Sequence, residues 1–143
     1  MAHARATIGA TNYAVAITAG HHQLNADEGP ALGGKDTGPA PFEILCSALG
    51  ACTAITLRMY AERKAWPLHG VSVDVRFSGT GKEGAIARVL SFEGELSQEQ
   101  RVQLRAHAGD ADAEEWGCDH DDRRVTAVYA AIVLVIRPSR RMG

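Results

Sequence analysis

Three thiols carry the reactive chemistry of this chain: Cys46, Cys52 and Cys118. Cys46 and Cys52 lie inside the apolar run Pro41-Phe42-Glu43-Ile44-Leu45-Cys46-Ser47-Ala48-Leu49-Gly50-Ala51-Cys52-Thr53-Ala54. A cysteine on the packed stripe of a long helix is either a small core hydrophobe or a protected reactive thiol. The reactive species is the thiolate, so Cys52 needs a neighbouring positive charge and access for its substrate. It falls about eleven residues into the helix, beyond the first turn in which the helix dipole acts. Lys35, His21 and His22 are candidate cations if the loop carrying them folds over the helix, and a partner subunit is the alternative source. Cys46 lies about 9 Å along the axis from Cys52 and about 120° round it, too far for an intrahelical disulfide, so it reads as a packed small residue. Cys118 is followed by Asp119-His120-Asp121-Asp122. These are soft and hard metal ligands without a second ligand cluster, so no metal site is expected.

The elements that must position these residues follow from periodicity. Residues 13–18 alternate as a strand, with 6–9 as a partner and 21–25 continuing the sheet. Residues 25–40 are rich in Gly, Pro and Asp and form a long loop, a length that is uncommon without a function. Asp27, Glu28 and Asp36 are expected to order it by capping backbone amides. Proline suits the first turn of the helix beginning at Pro41, and Glu43 suits its positive end. Leu45, Ala48, Leu49, Cys52, Thr56 and Met59 recur at helical spacing as one stripe. Trp66-Pro67 stops the helix. Residues 71–77 alternate cleanly, 78–84 form a Gly-rich turn and 85–96 return as a hairpin partner. Ser97 with Gln100 is a capping box opening a second helix to about residue 108. Residues 125–136 read as a buried strand. The fold class is α+β, an antiparallel sheet packed with a long central helix and a second helix.

Bulk properties exclude several classes. The 143 residues fit one domain, 1–143, with 45% hydrophobic and 22% charged residues and a net charge of −2. That charge is wrong for a nucleic-acid surface. No run is read as approaching the roughly 20 apolar residues of a membrane span, so no membrane is expected. The first residues lack a signal-peptide core, and three cysteines are not a disulfide framework. A cytoplasmic address is expected.

Several of these residues together resemble the OsmC/Ohr family. They are Asp27-Glu28, Gly33-Gly34-Lys35-Asp36-Thr37-Gly38-Pro39, the helix start Pro41-Phe42-Glu43-Ile44-Leu45 and Ala48-Leu49-Gly50-Ala51-Cys52-Thr53-Ala54. The continuation from Leu57-Arg58-Met59-Tyr60 to Trp66-Pro67-Leu68 is similar to the family's OsmC-like branch. The resemblance covers about 13–108. It implies an intertwined homodimer with two central helices packed together. It also implies thiol-dependent reduction of organic hydroperoxides, in which Cys52 attacks the peroxide and a later cysteine resolves the sulfenic acid. An arginine and a glutamate would hold the thiolate. The glutamate's position is Phe42 here, Glu43 is a weak substitute one residue away, and Arg5 aligns only loosely with the arginine. Cys118 is the only cysteine in the region of the resolving thiol, displaced from the family position, so an external thiol reductant is expected to complete the cycle. Phe42, Leu45, Leu49 and Met59 are the expected wall of an apolar pocket for a small organic hydroperoxide, with ordinary core as the other reading. No metal, flavin or nucleotide cofactor is implied. A non-enzymatic redox-sensing or small-ligand-binding dimer is the alternative function. Residues 109–143 depart abruptly from the family pattern. A shifted reading frame would account for this and would make strand 125–136 an accident of translation; a divergent natural tail is the other reading.

Overall fold

The computed structural model describes residues 2–79 and 84–110. Cys118 and the expected strand 125–136 lie outside them. The chain divides into two units, 1–48 and 49–143, and the described part of each is taken in turn.

The first unit is a meander, β1 (Ala4–Ile8), β2 (Val15–Ala19) and β3 (His22–Ala26). All its pairs are antiparallel, with Ile17 opposite Ala6 on one side and Leu24 on the other. Every residue of β1 is exposed, as is every residue of β3 except Ala26. A short 3₁₀ turn, Pro30–Leu32, breaks the loop that follows.

Helix α1 (Pro41–Arg63) begins in this unit and continues into the second. Its start is fixed by Glu43, whose carboxylate accepts the Ala40 N–H at 2.8 Å, the reciprocal half of a capping box. At its end the Trp66 N–H bonds the Ala61 carbonyl at 2.9 Å, and Pro67 cannot continue the helix. The Arg58 guanidinium donates to the carbonyls of Leu68 and His69, tying the helix to the strand that follows.

In the second unit β4 (Leu68–Gly79) and β5 (Gly84–Gly94) form a long antiparallel hairpin, longer at its β4 end than the alternation alone marks. The antiparallel pairing expected of the fold is thus divided between two sheets. Gly94 has φ +136°, and a Cβ there would collide with the Pro67 carbonyl, so only glycine fits this strand end. Helix α2 (Gln98–Arg105) opens with the capping box read from the sequence: Ser97 Oγ accepts the Gln100 N–H at 3.2 Å and Gln100 Oε1 accepts the Ser97 N–H at 2.9 Å. Arg101 ties α2 to β5 by donating to the Phe92 and Gly94 carbonyls, each at 3.1 Å. The helix ends earlier than expected, passing at Ala106 into a wider π turn that runs to Asp110.

The core of this unit is Leu57, Ala61, Leu68, Leu90, Leu96, Leu104 and Ala108, with Tyr60, Trp66, Val71, Val73 and Phe92 packed against it. The buried residues of α1 are Leu49, Thr53, Thr56, Leu57 and Ala61. The expected stripe is therefore rotated. Leu49 and Thr56 are buried, but Cys52 is half-buried and Met59 is 41% exposed. Small and apolar residues surround this helix on every side, so its pattern alone does not select the face that meets the sheet. The same composition corrects the expectation that no run matches a membrane span, because α1 is by length and apolarity alone sufficient to cross one. Its Leu57 and Ala61 are instead built into the core.

Candidate functional site

Cys52 is a free thiol, half-buried on α1. Its surroundings are set by how α1 meets the hairpin. Gly50 makes that approach close, since a Cβ built on it would lie 3.4 Å from Val75 Cγ2 and 3.7 Å from the Val73 carbonyl oxygen. Val75 stands directly opposite Arg88 in the β4–β5 ladder. Arg88 reaches back to the helix, its Nη1 donating to Thr53 Oγ1 at 3.4 Å. Thr53 is fully buried and spends its own hydroxyl proton on the Leu49 carbonyl at 2.9 Å. Its lone pairs are thus what the guanidinium, a pure donor, can use. The result is a cation held beside the residue that follows Cys52.

Arg88 is not among the site residues expected from the sequence, although the sequence carries a signal for its inward position. Exposure alternates along β5, with Ile86, Arg88, Leu90 and Phe92 on the more buried side and Ala87, Val89 and Ser91 exposed. An arginine in that inward row is out of place for a purely apolar sheet face.

The other expected site residues are distributed as follows. In the first unit Phe42 is 50% exposed, Leu45 and Cys46 are half-buried and Glu43 is engaged at the helix start. His21 lies in the exposed β2–β3 turn and His22 at the exposed start of β3, with ring centroids 4.0 Å apart. In the second unit Leu49 is buried, whereas Met59 lines an open groove of about 260 Å³ with Ala54, Ile55, Arg58 and Val71. Of the four residues expected to line an apolar pocket, Met59 is the one this groove contains. Among the described residues no group of three or more His, Cys, Asp or Glu is arranged to hold a metal.

The long loop is organised by Asp27, one of the three acidic residues expected to order it. Asp27 is 2% exposed. Its Oδ1 accepts the backbone N–H groups of Tyr13 and Glu28 at 3.2 and 2.8 Å. Its Oδ2 accepts those of Lys35 and Thr37 at 3.2 and 3.1 Å and the Thr37 hydroxyl at 2.8 Å. Burial raises the carboxyl pKa, but the bonds from Thr37, Glu28 and Lys35 outweigh it and hold the group well below the usual carboxylate range. Gly34 belongs to the same knot, since any Cβ there would run into the Glu28 carbonyl.

Fold and site together define an α+β protein built around a cysteine-bearing helix with a strand-borne arginine behind it. Residues 34–116 match the family model described as OsmC-like protein, and the chain belongs to that family. Solved structures of similar fold include an organic hydroperoxide resistance protein OsmC from Legionella pneumophila, 23% identical over 76% of this chain and 81% of the other, with a TM-score of 0.59. An OsmC-like protein from Mycoplasma pneumoniae is 16% identical over 76% and 80%, with a TM-score of 0.65. The organic hydroperoxide resistance protein OhrB of Bacillus subtilis is 19% identical over 76% and 82%, with a TM-score of 0.54. No curated protein matches the chain.

Proposed function

We propose that the protein is a thiol-dependent peroxidase that reduces organic hydroperoxides through Cys52, in defence against oxidative stress. The observation that carries this reading is a free, half-buried thiol at Cys52 on α1, in a chain whose matched family region includes that helix. Similarity to structures titled organic hydroperoxide resistance protein supports the substrate class.

In the first step the Cys52 thiolate attacks the distal oxygen of the hydroperoxide. The S–O bond forms as the O–O bond breaks, and the alkoxide leaves and takes a proton from solvent. Sulfur is oxidised to the sulfenic acid and the peroxide is reduced to the alcohol. An external thiol then condenses with the sulfenic acid, releasing water and leaving a mixed disulfide. A second thiol restores Cys52. The external reductant is assigned because the displaced Cys118 is a weak candidate for resolving the sulfenic acid.

A homodimer fits this reading. Ile55 is 61% exposed and Met59 41% exposed on α1, an apolar surface of the kind that a second copy would cover. Free thiols at Cys46 and Cys52 suit a reducing, cytoplasmic compartment. The alternative, a non-enzymatic redox-sensing or ligand-binding dimer, is favoured by one observation: Phe42, at 50% exposure, stands where the family resemblance places a glutamate. The two readings separate in a turnover assay with an organic hydroperoxide and a dithiol reductant. A peroxidase consumes many equivalents of peroxide per Cys52 at a rate far above that of a free thiol and a Cys52→Ser variant consumes none, whereas a ligand-binding dimer consumes none through Cys52 and a sensor, assayed without the dithiol, takes up one equivalent no faster than a free thiol.

A further inference from the structure

We infer that Asp27 is a positioning residue of the Cys52 reaction: its carboxylate fixes the first turn of α1, and with it Phe42 and Leu45 as the wall along which the hydrocarbon chain of a long alkyl hydroperoxide lies. The inference rests on the reading of Cys52 as a peroxide-reactive thiol and adds the group that sets which peroxides it favours.

Three observations carry it. First, the carboxylate joins separate stretches of the chain. It accepts the Tyr13 N–H from the β1–β2 loop, the N–H groups of Glu28, Lys35 and Thr37 from the loop before α1, and the Thr37 hydroxyl. At 2% exposure it is sealed from water, where such bonds are strongest and most costly to lose. Second, the knot reaches the helix. The Asp27 N–H bonds the Pro39 carbonyl at 3.3 Å, two residues before α1 opens at Pro41. The next N–H, that of Ala40, is taken by Glu43 inside the first turn. A Cβ on Gly38 would lie 2.6 Å from the Asn25 carbonyl oxygen, so the end of the loop lies directly on the end of β3. Little slack remains between the buried carboxylate and the start of α1. Third, that first turn begins the face of α1 that carries Cys52. At about 100° per residue, Phe42, Leu45 and Cys52 fall within an arc of about 80°. Phe42 is 50% exposed and Leu45 and Cys52 are half-buried, so the chain leaves this face partly open.

A carboxylate suits the role because it only accepts, and every group aimed at it is a donor. An amide in its place turns an N–H₂ against at least two of those donors, so the loop shifts and the first turn of α1 shifts with it. Leu45 and Phe42 stand about 10 and 15 Å along the helix axis from Cys52. A short peroxide at Cys52 does not reach them, whereas a long chain does.

The experiment is steady-state turnover of decyl hydroperoxide and of tert-butyl hydroperoxide with a dithiol reductant, at a temperature where every variant is folded. It is run on wild type and on Asp27→Asn, Thr37→Val and Phe42→Ala, and it reads the ratio of the two kcat/KM values. Asp27→Asn is expected to lower the decyl-to-tert-butyl ratio about five- to tenfold, the scale on which a displaced binding wall costs rate. Phe42→Ala should lower the ratio as well, because it removes part of the same wall. Thr37→Val, which takes away the hydroxyl donor and keeps the backbone one, should lower it less than Asp27→Asn does. A merely structural Asp27 would instead lower the thermal midpoint and scale both substrates together, leaving the ratio at its wild-type value. That result overturns the inference and spares the peroxidase. So does a wild type that turns over tert-butyl hydroperoxide but not the decyl compound. A wild type that turns over neither overturns both. If Asp27→Asn does not fold, Thr37→Val and Phe42→Ala decide: wild-type ratios in both overturn the inference.

Discussion

Replacing Gly50 measures how tightly α1 is held against the hairpin, and hence how Arg88 is delivered to the helix. In Gly50→Ala the new Cβ lies 3.4 Å from Val75 Cγ2 and 3.7 Å from the Val73 carbonyl oxygen. Those separations are close to ordinary contact, so the methyl fits with at most a few tenths of an ångström of adjustment. Alanine in place of glycine inside a helix contributes about 0.8–1 kcal/mol through the lost flexibility of the unfolded chain. The net expectation is stabilisation by about 0.5–1 kcal/mol, or roughly 2–6 °C in the thermal midpoint. Gly50→Leu adds three further carbons toward the Val75 side chain. Overpacking of that kind costs about 1–3 kcal/mol, which offsets the helix gain and drives α1 away from β4. Separating α1 from the hairpin also breaks the bond between Arg88 and Thr53. Thermal unfolding at one fixed protein concentration, followed by circular dichroism, reads both variants. Peroxide-driven oxidation of Cys52 should be near wild type in Gly50→Ala and slow in Gly50→Leu. A Gly50→Leu protein as stable as Gly50→Ala and equally reactive would refute the close approach.

Other consequences are independent of Gly50. The Asp27 carboxylate lies below the usual carboxylate range, so its contribution is present above about pH 4 and is lost as pH falls toward its folded value. Asp27→Asn puts an amide N–H₂ where at least two backbone donors now point, so the variant should be less stable at neutral pH and its acid unfolding limb flatter; an unchanged limb would contradict the role. His107, stacked on Tyr60 at 4.1 Å, has its pKa lowered by burial and by the charge of Arg63. Its stabilising effect is complete above the ordinary histidine value of 6.5 and declines as pH falls below it. Wild type should therefore lose stability between about pH 7 and pH 5 faster than His107→Phe, and parallel curves would count against this. Leu57, fully buried in the core, should cost about 2–5 kcal/mol when cut to alanine, read from urea midpoints at constant slope.

The features legible in the sequence are those decided locally. The Ser97–Gln100 capping box, the proline start of α1, the Trp66-Pro67 stop and the alternation of 71–77 each depend on a few neighbouring residues, and each is present in the fold. The loop-ordering role of Asp27 follows from the same local chemistry, although the reach back to Tyr13 does not. The packed face of α1 was less legible, because apolar and small residues ring the helix and the sheet alone chooses among them. Arg88 was hidden for a related reason. Its inward position can be read from the alternation of β5, but its nearness to Thr53 depends on pairing with Val75 and on the close approach at Gly50. The departure of the tail from the family pattern, with Cys118 inside it, lies beyond the described residues.

Whether Cys52 is the peroxide-reactive thiol proposed above is decided by the rate of its oxidation by cumene hydroperoxide in the native protein. Mass spectrometry of the Cys52 peptide, with Cys52→Ser as control, follows the gain of one oxygen or its trapped adduct. Oxidation far faster than that of free cysteine is the predicted result. A rate equal to free cysteine would make Cys52 a packing residue and contradict the account.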